Sequence, residues 1–405
     1  MRSSLWSTLL AVFISTVLAN CQVLPQTAED SLSSSSGLES TSIGGYGNAF
    51  YQRNSNLSSA TMNLERVVLF VGHSFGKISF FSELELEDAK VSGNDDGGEI
   101  AFEQAYLQFN LDRNHYITAG LFLPRIGITN EKHLPIDFNG NERSQVETYI
   151  IPATWRELGV GFYGSVSGIP LNYGVALVNG LNSASFEHGS GIREGRSEEK
   201  NASASNLAIT GSVQYFRNNF RIQASGYYGG SVGLSSRQAD SLQLQSGPFG
   251  TPVIIGEVNV QYATAGFTLK ALGAVVSIPH AFEINLAYAT NTPEREYGVY
   301  AELGYDVLHK TGTSSEQQLI VFARYERLDM NALIPSNGII DGTLNQQHVV
   351  AGVDYLPIRN VVIKADIRLL HTGEANQSLI INPNPAAPRY DPNNTFINLG
   401  IGFAF

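Results

Sequence analysis

A single cysteine in 405 residues, Cys21, leaves no partner for an intrachain disulfide, so no disulfide framework holds this chain. Only three methionines are present. Beyond the first twenty residues there is no apolar run near the roughly 20 residues a spanning helix needs, which excludes a helical membrane bundle. Basic residues are scarce too: 25 Lys and Arg stand against 37 Asp and Glu, for a formal charge of −12. Without a cluster of lysine and arginine the phosphate backbone finds no counter-charge, so a nucleic-acid partner is excluded. None of the eight histidines falls in a paired metal-binding spacing, and neither a Gly-x-Ser-x-Gly elbow nor a phosphate-cradling glycine loop occurs. Neither cofactor nor metal nor catalytic residue is therefore expected, and the chain reads as a non-enzyme.

What the chain has in quantity is glycine (40), tyrosine (18) and phenylalanine (21), the composition of strands, turns and aromatic belts. Residues 1–19 carry Arg2, an apolar run from Leu9 to Leu18 and the small-residue ending Val17-Leu18-Ala19, the pattern of a cleaved signal peptide. Leu18-Ala19-Asn20-Cys21 also resembles a lipobox, with Asn20 where a small residue belongs. Residues 20–43, which include the run Ser33 to Ser36, are polar and of low complexity, as expected of a flexible periplasmic leader.

From Gly44 onward, segments of 10 to 14 residues alternate apolar and polar and end at Gly, Asn, Asp or Ser. Over 360–369, Val361, Ile363, Ala365, Ile367 and Leu369 share one parity and Lys364, Asp366 and Arg368 the other. A strand places such sets on opposite faces, aliphatic toward lipid and charged toward water. The same split sets Phe80, Leu84 and Leu86 against Glu83, Glu85 and Glu87, and Val321, Ala323 and Tyr325 against Arg324 and Glu326. About sixteen segments fit, from 44–54 to 394–405. Residues 280–290 stay open between a strand and a short loop helix.

Connections after even-numbered segments are tight, except 309–316, while those after odd-numbered segments include the long ones. This predicts a transmembrane antiparallel β-barrel of about sixteen strands over 44–405, with short periplasmic turns and long extracellular loops, in the bacterial outer membrane and in contact with its lipid. A barrel that wide leaves an aqueous lumen. The last segment ends on Phe405, resembling the C-terminal strand that outer-membrane assembly machinery recognises.

The connection 125–155 is the longest in the front half and mixes charges: Arg125, Glu131, Lys132, His133, Asp137, Glu142, Arg143 and Glu147, with Arg156 beside it. It is the candidate constriction. Inward parity assigns Glu83, Glu85, Glu87, Arg324, Glu326, Lys364, Asp366 and Arg368 to the pore wall, where fixed charge selects ions or where acids and bases neutralise one another across strands. Asp95, Asp96 and Glu99, among glycines, read as a hydrated turn or a calcium-holding one.

Leu69-Phe70-Val71-Gly72-His73, Phe81-Ser82-Glu83-Leu84-Glu85, Glu103-Gln104-Ala105-Tyr106, Gly120-Leu121-Phe122-Leu123-Pro124, Asn130-Glu131-Lys132-His133 and Ile151-Pro152-Ala153-Thr154-Trp155 together resemble porins related to the phosphate-selective porins O and P. The likeness thins after about residue 230. It implies a porin of sixteen or eighteen strands, often a homotrimer, passing small hydrophilic solutes or ions. Phosphate selectivity would call for inward Lys and Arg near the constriction, and this chain offers at least as many acids. A plugged binding or adhesion barrel, or a barrel hydrolase with a Ser, His and carboxylate at one rim, are the competing classes.

Overall fold

The structure is a computed structural model and describes residues 39–57, 59–87, 100–197, 202–309, 317–376 and 391–405. The signal-peptide stretch with Cys21, most of the leader, and Asp95, Asp96 and Glu99 lie outside these residues.

Among the described residues, sixteen antiparallel strands form one closed barrel in which each strand pairs with its sequence neighbours and β1 closes on β16. They are β1 (Ser40–Asn54), β2 (Ser59–Ser74), β3 (Ile78–Glu87), β4 (Ile100–Asn110), β5 (His115–Phe122), β6 (Glu157–Ser165), β7 (Leu171–Asn179) and β8 (Leu207–Arg217). The second half comprises β9 (Phe220–Gly229), β10 (Val253–Thr264), β11 (Phe267–Ser277), β12 (Arg295–Asp306), β13 (Gln318–Leu333), β14 (Asn345–Ile358), β15 (Val361–Thr372) and β16 (Asn393–Ala404). Short helices α1 (Gln145–Tyr149), α2 (Ser236–Leu242) and α3 (Ala281–Tyr288) all sit in connections at one end of the barrel. Residues 280–290 are thus a helical loop, and β1 starts at Ser40, four residues before the predicted Gly44, because Ser40–Ile43 pair with Val71–Ser74.

Closure explains the alternation. With no sheet edge, every strand satisfies its backbone groups laterally, and side chains divide between outside and lumen. On β15, Ile363, Ile367 and Leu369 are exposed on the outer face while Lys364, Asp366 and Arg368 are buried inside. Outward aliphatics such as Leu303, Val258 and Ile401 extend this belt around the barrel. Near the short-turn end it meets an aromatic girdle, with Phe220 against Tyr262 and Phe267 against Tyr305, each pair 4.3 Å between ring centroids. This is the surface of a protein solvated by lipid. Turns at that end are tight: Ala265 and Gly266 both take positive φ (46° and 82°), the primed geometry that a two-residue hairpin requires.

Two bulges break the alternation on adjacent parts of the wall. Register slips between Glu83 and Leu84, which pair with Gln104 and Phe102, so Glu103 is the extra residue of β4. A second slip lets Asn48 pair with Arg66 and Ala49 with Leu64, making Glu65 extra in β2. Each bulge turns two consecutive polar residues toward the lumen, Glu103 with Gln104 and Glu65 with Arg66.

Candidate functional site

The connection between β5 and β6, residues 123–156 and here named L3, folds into the barrel and crosses to the opposite wall. Its path follows from what the wall offers. Residues Phe138–Asn141 lie along β11–β16, where backbone groups of the loop meet inward charges. Lys364 Nζ donates to the carbonyls of Phe138 and Gly140, both at 2.7 Å, and sits 3.9 Å over the Phe138 ring. Asp366 Oδ2 accepts from the Asn141 backbone at 2.8 Å and its amide at 2.6 Å, and Asp354 accepts from Gly140 N at 3.1 Å. Arg324 donates to the carbonyls of Asn139 and Glu142 while pairing with Glu302 (3.1 Å) and Glu326 (2.7 Å). Arg368 grips Glu142 through two nitrogens, at 2.7 and 3.2 Å.

Small residues on the wall admit the loop. A Cβ on Gly402 would lie 2.6 Å from Pro135, and one on Gly298 2.7 Å from Val146 of α1. The start of α1 is tied by Glu326, which accepts from Ser144 Oγ at 2.8 Å and Val146 N at 3.2 Å. Glu147 folds the loop on itself: one oxygen accepts from Ile128 N and Thr129 N at 2.6 and 2.7 Å, the other from the Tyr300 hydroxyl at 2.8 Å.

On the other side, Glu131 pairs with Arg221 and accepts from Gln214 at 2.8 Å. Lys270 donates to the Asp137 carbonyl at 2.9 Å. Arg143 donates to the His133 carbonyl at 3.3 Å, and His133 faces Glu83 and the ring of Tyr46. Glu85 pairs with Arg66 at 3.1 Å, with Arg156 3.9 Å away. Glu87 is half-exposed, 3.7 Å from Arg66. Arg125 stays low in the barrel, donating to the Tyr116 hydroxyl at 2.7 Å and lying over the Tyr163 ring.

Burial on the loop decides protonation there. It pushes the His133 imidazole down to about 4, so the ring is neutral at neutral pH. Burial likewise raises the Asp137 carboxyl, and burial followed by Arg221 lowers the Lys132 ammonium.

Arg324, Glu326, Lys364, Asp366 and Arg368 therefore point inward, as their parity requires, but lie beneath L3 at 0–6 % exposure rather than against open water. The alternation reveals a face and says nothing of what covers it. Two bodies of residues escaped the sequence reading. Glu103 and Gln104 are lumenal through a bulge, whose trace in the sequence is the broken alternation Phe102-Glu103-Gln104-Ala105. The second is an apolar core inside the loop end of the barrel. There Ile150, Ile151 and Trp155 of L3, Leu181, Phe186 and Ile192 of the connection 180–206, and Ile278 and Ile284 around α3 pack on inward Val178, Val253, Val276 and Leu328. Arg193 and Arg196 clamp the return of L3, donating to the carbonyls of Thr148, Pro152 and Thr154.

Toward the turn end a cavity of about 630 Å³ lies along β4–β7, lined by Gln104, Tyr106, Gln108, Thr118, Tyr163 and Arg125 among others. Between L3 and β1–β2 the gap shrinks to about 10 Å³, bounded by Asn48, Arg66, His133 and Arg143, room for about one water.

The architecture is a closed barrel of sixteen strands with a loop folded through its lumen. Solved structures with this fold include an anion-selective porin from Comamonas acidovorans (TM-score 0.53, 12% identity, 91% of this chain and 100% of that one). The outer membrane channel DcaP of Acinetobacter baumannii is similar as well (0.54, 11%, 91% and 97%), as is Salmonella typhi OmpF in complex with daunomycin (0.53, 12%, 90% and 97%). At these identities the likeness is one of fold. The chain belongs to the same family as an uncharacterized protein of Aquifex aeolicus (strain VF5), to which it is 31% identical over 339 residues, 80% of this chain and 74% of the relative. No family model matches it.

Proposed function

We propose that the chain is a non-enzymatic outer-membrane porin through which small hydrophilic solutes or ions diffuse passively, with L3 as its constriction. The observation that carries this reading is the course of L3, bonded across the lumen to β11–β16 while a polar cavity stays open beneath it along β4–β7. A loop that only covered the barrel mouth would not draw Arg324, Lys364 and Arg368 into its own anchoring. The constriction in this reading is bordered by Arg125, Glu131, His133, Asp137 and Arg143 of the loop and by Glu83, Glu85 and Glu87 on the wall.

The anion selectivity of the Comamonas porin and the phosphate selectivity of the family that the chain resembles have little support in these charges. Arg324, Lys364 and Arg368 already face Glu302, Glu326, Glu142 and loop carbonyls, which leaves little positive charge for phosphate. The exit of residues 1–19 as a signal peptide and assembly as a homotrimer belong to the same proposal.

A second reading, a plugged binding barrel, draws support from the apolar core that fills the loop end along β7–β13. Single-channel current in a planar bilayer separates the two. Steady, small conductance with little anion preference across a potassium chloride gradient and no block by added phosphate is expected. Anion preference with phosphate block would restore the phosphate reading, and silence from folded protein would leave the plugged barrel.

A further inference from the structure

We propose that Glu83, Glu103 and His133 form a divalent-cation site of the zinc type that ties L3 to the β3–β4 wall. The three residues come from β3, the bulge of β4 and the loop, and are 4, 0 and 5 % exposed. One donor atom from each lies within 4.8 Å of the other two, and His133 Nε2 is 3.8 Å from Glu83 Oε2. Donors around a tetrahedral zinc ion stand about 3.3 Å apart, given bond lengths near 2.0–2.2 Å, so closing the site draws His133 and Glu83 together by about half an ångström and the other donor pairs by up to about 1.5 Å.

The independent sign of a ligand is His133 itself. Both of its ring nitrogens are buried, and neither has a hydrogen-bond partner among the described residues. Buried polar groups are ordinarily satisfied, and a cation shared with the two carboxylates takes up one of these nitrogens. The carboxylates are already oriented from behind: Tyr46 donates to Glu103 Oε2 at 2.9 Å and Gln104 to Glu83 Oε2 at 2.8 Å.

Arg66 and Arg143 stand close by and oppose a cation. Arg66 is spent on Glu85, however, and the four carboxylates Glu65, Glu83, Glu85 and Glu103 outnumber the guanidiniums Arg66, Arg143 and Arg156. The imidazole donor and the small donor count favour zinc over calcium or magnesium, which take more ligands and prefer oxygen. The spacing of the histidines in the sequence hides the site because only one histidine takes part.

The clasp reaches beyond the porin reading, and its binding test does not depend on conduction. Zinc chloride is titrated calorimetrically into the full, folded chain in detergent, and cobalt is followed by its visible absorption. One ion per chain, a tetrahedral cobalt spectrum, and at least about tenfold weaker binding in H133N and in E103Q are expected. E83Q serves in place of E103Q if the latter does not fold, each variant being checked for the heat-resistant mobility of a closed barrel. Absence of stoichiometric binding to the parent protein, or unchanged affinity in the folded variants, overturns the clasp. In bilayers, zinc should quiet current fluctuations of the parent protein and leave H133N unaffected. Zinc bound by a silent barrel supports the clasp and sinks only the open channel.

Discussion

Two buried acids on neighbouring parts of the wall meet opposite fates. Glu326 is fully buried and accepts from Arg324, Ser144 Oγ and Val146 N. Glu296 is equally buried, under the connection 180–206 near Gly191, yet neither of its oxygens has a hydrogen-bond partner among the described residues. Replacing an unsatisfied buried polar group with an apolar one of similar size removes a cost of about 1–3 kcal/mol, so Glu296→Leu is expected to hold or raise the unfolding temperature. Arg368→Met goes the other way. It strands Glu142, whose side chain is 21 % exposed, beside Asn398; breaking a fully buried pair costs about 3–5 kcal/mol, and this partly exposed one costs less. The cost falls on the docking of L3, so limited proteolysis within 123–156 and noise in the open-channel current should both increase in R368M. Unchanged protease resistance would mean that L3 does not depend on this pair.

At the scale of elements, glycines on the wall let α1 and the loop before it lie flat, and this is testable without touching charge. Gly298→Val would push a methyl into Val146 and Ile150 of α1. Overpacking of this kind costs about 1–3 kcal/mol and is relieved by lifting the helix, so G298V should show faster hydrogen exchange over Gln145–Tyr149 while the strands keep their protection. A second element contact ties three connections at the loop end: His188 Nε2 lies 2.9 Å from Asp341 and its other nitrogen accepts from Asn291. Against the burial that raises it, hydrogen bonds from Thr343 and His188 hold the Asp341 carboxyl below its usual range. A carboxyl depressed in the folded state stabilises above its unfolded value, about 3.9, and that stabilisation is lost as pH falls through the folded value. Exchange protection around His188 should therefore stay level from neutral pH down to about 4 and fall only in stronger acid. In Asp341→Asn that step should vanish.

Strand number, face and the turn-and-loop asymmetry were legible in the sequence because a barrel wall obeys a strict period of two. Lys364, Asp366 and Arg368 show this: their inward side follows from Ile363, Ile367 and Leu369 alone. What the three charges meet was not legible, since Glu142 and Asn141 approach from more than two hundred residues away and loop paths obey no period. Bulges defeated the pattern in the same way at Glu103. The apolar core at the loop end was hidden because Val178, Val253 and Val276 look like lipid-facing aliphatics until their parity is read along each strand.

Across the whole molecule, the outer belt and the lumen are two solvents separated by one strand, and a charge moved between them should expose the difference. Ile367 lies midway along β15, exposed on the lipid side, between inward Asp366 and Arg368. An arginine in the middle of a lipid-facing strand costs about 2–4 kcal/mol, whereas the arginine one residue on is held inside by Glu142. Ile367→Arg should therefore lower the urea midpoint of the barrel refolded into vesicles by an amount matching that cost, with the fold unchanged in detergent, where the belt is more readily hydrated. If I367R were as stable in vesicles as the parent protein, β15 would not face hydrocarbon at that depth, and the assignment of inside and outside for the entire barrel would have to be reversed or shifted along the strands.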